Sequence, residues 1–92
     1  MKTILYLYPT KSRARQAFKE FLDHNDPNGV AFTYRYSDLT AEANGVLRRF
    51  MSTDDLDTKL KGYSFDSVFV DEYVKLDEEQ KAMMMSRMRV SK

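Results

Sequence analysis

The segment TILYLY, residues 3–8, restricts this chain more than any other. Apart from Thr3, its side chains are aliphatic or aromatic at both odd and even positions. Successive side chains of a strand point to opposite faces, so a strand apolar at both parities must be covered on both sides. That is the pattern of a central strand in a parallel sheet, with helices on both faces. Pro9 ends the strand. Thr10 or Ser12 then caps a helix, and Ala14, Ala17, Phe18, Phe21 and Leu22 recur at i, i+3, i+4, i+7 and i+8. Its first turn is basic where the helix dipole prefers acids, a placement that makes sense if an anion docks there.

VAFTYRYS (30–37) alternates, with Val30, Phe32, Tyr34 and Tyr36 on one parity. This predicts a strand with one buried face, near a sheet edge. Asn44-Gly45 is a strong hairpin signal, because both turn positions of a type I′ turn need positive φ. Residues 39–43 and 46–51 are therefore expected as paired antiparallel strands, with a helical turn over 38–43 as the alternative. TDDLDTKLKG (53–62) reads as a capped short helix stopped by Gly62. SVFV (67–70) is again apolar on both parities and predicts a second central strand, with 68–70 buried. A last helix over 76–90 opens on Asp77 and Gln80 in capping-box spacing. No repeat or linker divides the chain, so one α/β domain over residues 1–92 is expected.

A chain of 92 residues builds only a small core, so a protein partner or a homodimer would add to its stability. Net charge is +1, and any affinity for nucleic acid must come from a local patch. There is no cysteine, which excludes disulfides, thiolate ligands and cysteine nucleophiles. His24 is the only histidine; a solvated residue at a helix end is expected, with no metal site. No apolar run approaches a membrane span, and the N-terminus lacks the long apolar core of a signal peptide. A soluble, cytoplasmic protein without membrane contact is the expectation.

Two stretches together resemble a known family. ILYLYPTKSRARQAFKEF (4–21) resembles the strand–Pro-Thr–helix segment that follows the phosphate-loop helix in helicases and phage terminase ATPases. NGVLRRFMSTDDLDTKLKGYSFDSVFVDEY (44–73) resembles the later hairpin, the basic loop and the strand ending in Asp-Glu of the same domain. The order and spacing match over most of the chain. The resemblance implies a truncated RecA-like (P-loop NTPase-like) sheet, with TILYLY parallel to SVFV and the hairpin towards an edge. It implies that Asp71 and Glu72 stand where magnesium and the attacking water are held. It also implies that the segment with Thr10, Lys11, Arg13 and Arg15 touches the nucleic-acid backbone. In the host of such a phage the protein would be cytoplasmic.

One departure is informative. A phosphate loop needs G-x-x-x-x-G-K-[ST], yet none of Gly29, Gly45 and Gly62 is followed by Lys-Ser or Lys-Thr. Met1 stands almost where the matching segment starts, so the strand and loop that precede it in the family are expected to be missing. Positioning and charge neutralisation supply nearly all of phosphoryl-transfer catalysis, so without the cradle Asp71 and Glu72 are vestigial and no cofactor is expected. The expected function is that of a non-catalytic, terminase- or helicase-derived phage-like module binding a protein partner or, weakly, a nucleic-acid backbone. The alternatives are a subunit of a composite ATPase whose phosphate loop comes from another chain, and a mimic that inhibits a host helicase or nuclease.

From the residues alone, Thr10, Lys11, Arg13 and Arg15 are the anion-binding candidates, because hydroxyls, N–H groups and cations meet at a helix N-terminus. Arg48, Arg49, Lys59 and Lys61 would extend the patch. The aromatic residues are mostly expected in the core. In MMMSRM (83–88) some methionines must face outwards, and Met84 and Met88 are the candidates for a partner contact.

Overall fold

The computed structural model describes residues 2–55 and 64–87. Five strands form one mixed sheet: β1 (Lys2–Tyr8), β2 (Thr33–Arg35), β3 (Thr40–Ala43), β4 (Val46–Ser52) and β5 (Ser67–Val70), in the order β2-β3-β4-β1-β5. Helix α1 (Lys11–Asn25) follows β1, and α2 (Glu78–Arg87) follows β5. β1 is parallel to β4, with Lys2 beside Val46 and Tyr8 beside Ser52. It is also parallel to β5, with Ile4 beside Ser67 and Leu7 beside Val70. β2, β3 and β4 are joined antiparallel. The protein is a small mixed α/β domain.

The two parities of β1 feed two cores. Leu5 and Leu7 pack with Met51, Phe65 and Met84, and Met84 brings α2 onto this face. Ala14, Phe18 and Leu22 of α1 are buried on the opposite face with Leu39, Ala41 and Phe50, and Tyr6 and Tyr8 pack beside them. The Tyr6 ring is stacked on Phe50, with centroids 4.6 Å apart. The expected turn is present: Asn44 and Gly45 have φ of 55° and 77°, and the Lys2 N–H donates to the Gly45 carbonyl. The capping box also forms, since Gln80 N–H donates to Asp77 Oδ1 and Asp77 N–H donates to Gln80 Oε1. Of the short helix expected over 53–62, Thr53–Asp55 is a 3-10 turn and the rest lies outside the described residues, as do residues 88–90 of the expected last helix.

Two expectations need correction. SVFV is an edge strand, not a central one: Phe69 is 50% and Val70 39% exposed. An apolar tetrapeptide has the same pattern with one strand neighbour as with two, and here the Phe69 ring packs against those of Tyr6 and Tyr8. The alternating segment 30–37 contributes only Thr33–Arg35 to the sheet, and Val30 is 83% exposed. The backbone N–H groups of Val30, Ala31 and Phe32 donate to the buried carboxylate of Asp26, at 2.8, 2.8 and 3.0 Å, instead of to a ladder. That carboxylate closes the connection from α1 to β2. The bond from Ala31 does most to hold its pKa below the ordinary aspartate value; desolvation opposes, and Phe32 and Val30 add to the lowering.

Two outcomes follow for stability. In urea titrations Leu7→Ala is expected to cost about 2–5 kcal/mol, whereas Val70→Lys, on an edge that tolerates charge, costs less than about 1 kcal/mol. Because folding lowers the Asp26 pKa, the stability it confers is complete above the unfolded-state pKa and is lost as pH falls through the folded value. Asp26→Ala should therefore destabilise the protein at neutral pH and flatten the acid limb of its pH–stability curve. An unchanged acid limb would show that the Asp26 bonds do not form.

Candidate functional site

Because β4, β1 and β5 run in parallel, their carboxyl ends converge at one end of the sheet, where open α/β sheets place their ligands. Three bonds tie this end together. The Thr53 hydroxyl donates to the Pro9 carbonyl at 3.2 Å, the Ser52 hydroxyl to Asp55 Oδ2 at 3.2 Å, and the Asp71 N–H to the Leu7 carbonyl at 2.9 Å. Thr10 is the N-cap of α1, accepting at its hydroxyl from the Arg13 N–H at 3.2 Å. No acidic residue lies in the first turn of α1.

The four anion-binding candidates do not form one patch. Successive residues of an α-helix are about 100° apart, so Lys11 and Arg15 share a flank while Arg13 points roughly to the other side. Lys11 and Arg15 line a pocket of about 100 Å³ with Arg49 of β4, closed by the β2–β3 loop and by Asp55. A neighbouring groove runs along Arg15 and Lys19 to Tyr36, whose ring is exposed and meets Phe18 edge-on at 5.3 Å. The cationic flank is thus Lys11, Arg15 and Lys19. Two carboxylates adjoin: Asp55 accepts from Ser52, and Asp38 lies 4.0 Å from Arg35 in an exposed pair of little energetic weight. Leu39, which also lines the pocket, has φ 51° with a buried side chain. A left-handed leucine costs about 1–2 kcal/mol, offset here by core packing and by the bond from the Phe50 N–H to its carbonyl.

Arg13 lies on the opposite flank, beside Tyr8, Glu20, Phe69 and Asp71. Asp71 forms a tight turn, its Oδ2 accepting from the Tyr73 N–H at 3.3 Å and its carbonyl from the Val74 N–H at 3.0 Å. Glu72 is exposed next to it. Among the described residues no group of three or more His, Cys, Asp or Glu side chains is placed to hold a metal ion. The Tyr8 phenol is pushed above its ordinary pKa, first by desolvation and then by Asp71, Tyr6 and Glu20, with Arg13 opposing.

The remaining candidates separate as well. The Arg48 guanidinium stacks over Phe21 at 5.3 Å and Phe32 at 6.0 Å, away from the basic flank. Lys59, Lys61 and Met88 lie outside the described residues. Met84 is buried beneath the sheet and is unavailable to a partner, whereas Met85 is 68% exposed. His24 is exposed in the last turn of α1. Lys19 and Tyr36 were not among the sequence candidates; the i+4 spacing from Arg15 points to Lys19, but the approach of Tyr36 depends on the loop fold. No described helix is long and apolar enough to cross a membrane.

Comparison with family models, curated proteins and solved structures found no match. The geometry of the Tyr8 side has its own test. Asp71→Asn is expected to lower the Tyr8 pKa, since a carboxylate that disfavours the phenolate is removed, and a tyrosine-resolved NMR titration at alkaline pH reads the shift. An unmoved Tyr8 titration would mean that the two groups do not face each other.

Proposed function

We propose that this chain is a non-catalytic binding module, related to the RecA-like sheet of phage terminases and helicases, which grips a nucleic-acid backbone. The observation that carries the reading is the cationic flank of α1: Lys11 and Arg15 at one pocket near the carboxyl end of the parallel strands, continued by Lys19. Phosphates bind where helix N–H groups and cations converge, and the first turn of α1 carries no acidic residue. Tyr36 adds an exposed ring beside Arg15 and Lys19, suited to stacking an unpaired base. Single-stranded nucleic acid is therefore the favoured ligand.

The relation to the RecA-like sheet is supported by the parallel β4-β1-β5 core, by the passage from β1 through Pro9-Thr10 into α1, and by Asp71-Glu72 at the end of β5. The non-catalytic reading rests on the glycines: none of the three in the sequence belongs to a phosphate loop. With a net charge of +1 the long-range pull is small, so binding is weak and local.

A titration of a labelled single-stranded oligonucleotide at two salt concentrations tests this. The wild type should bind at low salt, with little dependence on sequence. Lys11→Ala with Arg15→Ala should weaken binding and lower the salt slope by about two units at most, because each lost phosphate contact releases about one counterion fewer. Arg13→Ala should leave both affinity and slope nearly unchanged. Absence of binding by the wild type at low salt, or equal losses from Arg13→Ala and Lys11→Ala, would overturn the assignment.

A further inference from the structure

The other flank of α1 has the opposite character. Between this flank and β5 runs an open trough, formed by two adjoining cavities of about 590 and 220 Å³ that share Tyr8, Ala17 and Glu20. Its floor is aromatic: Phe50, Tyr6 and Phe69 lie side by side on β4, β1 and β5, and Tyr8 closes the row towards the carboxyl end. Ala17 leaves the wall low where a larger residue would fill it. Three carboxylates, Glu20, Asp23 and Asp71, stand along the rim against one guanidinium, Arg13. Glu20 and Asp23 are exposed; Glu20 accepts from the Gln16 amide at 3.2 Å and keeps its second oxygen for a ligand.

We propose that this trough binds an extended, arginine- or lysine-bearing segment of a partner protein. The floor rings stack on one another, Tyr6 on Phe50 with centroids 4.6 Å apart, and present an apolar surface of ring edges against which the aliphatic stem of an arginine or lysine packs. The rim carboxylates complete the match: a basic side chain lying on Tyr6 and Tyr8 pairs with Glu20 at one side and Asp71 at the other. The Tyr8 pKa is raised first by desolvation, and Asp71 and Glu20 add to the rise in the sense of this negative rim. A nucleic-acid strand is repelled by these carboxylates, and a purely apolar helix would bury them unpaired. The shape favours a peptide over a small organic cation. The trough follows α1 from Arg13 to Asn25, roughly 18 Å of helix, which matches about five extended residues.

The test uses the full chain and a fluorescein-labelled hexapeptide of alternating arginine and glycine, with the glutamate–glycine hexapeptide as control, read by polarisation at low salt. The arginine peptide should bind and the glutamate peptide should not. Glu20→Lys, an exposed position, should weaken binding roughly tenfold or more. Ala17→Leu fills the trough without changing charge and should weaken it comparably, with circular dichroism showing an intact fold. If Ala17→Leu fails to fold, Phe69→Ala, which removes an exposed ring from the floor, replaces it and should also weaken binding. Lys11→Ala with Arg15→Ala should leave the peptide affinity unchanged, so loss of the nucleic-acid reading and loss of this one are separable. Failure of the arginine peptide to bind at low salt, or wild-type affinity in Glu20→Lys and in the folded trough variant, would overturn the proposal. Full displacement of the peptide by free arginine at the same guanidinium concentration would overturn the peptide assignment in favour of a small cation.

Discussion

Everything in this domain depends on β1 being covered on both faces while paired on both edges. Leu5 and Leu7 are 1% and 0% exposed, and each apolar face of the strand needs its own helix. Parallel neighbours on both edges force the carboxyl ends of β4 and β5 to the same end as that of β1. The crossover through α1 then sets a helix N-terminus there as well. The convergence of Thr10, Thr53, Asp55 and Asp71 at one end of the sheet is thus a consequence of seating β1 between two parallel neighbours and two cores, not an independent feature.

Helix α1 works as a partition. Its buried stripe of Ala14, Phe18 and Leu22 seats it over β1 and β4, and its two exposed flanks look onto different surroundings with different charge. One flank carries Lys11, Arg15 and Lys19 towards the β2–β3 loop; the other carries Glu20 and Asp23 towards the aromatic floor beside β5. A net charge of +1 conceals this division, because the two fields nearly cancel in the sum and not in space.

The local devices were legible in the residues because each is short-range. Asn44-Gly45 forms its turn, Thr10 caps α1, and Asp77 and Gln80 exchange their bonds, all within four positions along the chain. Strand order is a different kind of information. SVFV and TILYLY carry the same two-sided pattern, yet one lies at the edge and the other in the centre, and nothing in four residues states which edges are paired. The role of Asp26 was hidden for a related reason. Three N–H groups converge on one carboxylate only once the loop is bent, so Val30 and Phe32 read as a strand by parity alone. At the candidate site, helical geometry separates Arg13 from Arg15, but only the placement of Asp71 and Phe69 shows what Arg13 faces. Met84 and Met85 are adjacent in sequence and opposite in environment, because the packing of α2 against Phe65 and Leu7 selects one of them.

The pairing of Ile4 with Ser67 also has a temporal side. As the chain leaves the ribosome, β1, α1 and the β3–β4 hairpin are complete once Ser52 has emerged, and the Phe18–Phe50 core can close. On the Leu5, Leu7 and Met51 side, Phe65 and Met84 join the core only later. Until β5 is made, the β1 edge that it pairs with is open, and unpaired strand edges are prone to mispairing. Phe65 and Met84, the last core residues to be made, complete the Leu5, Leu7 and Met51 core in the native fold.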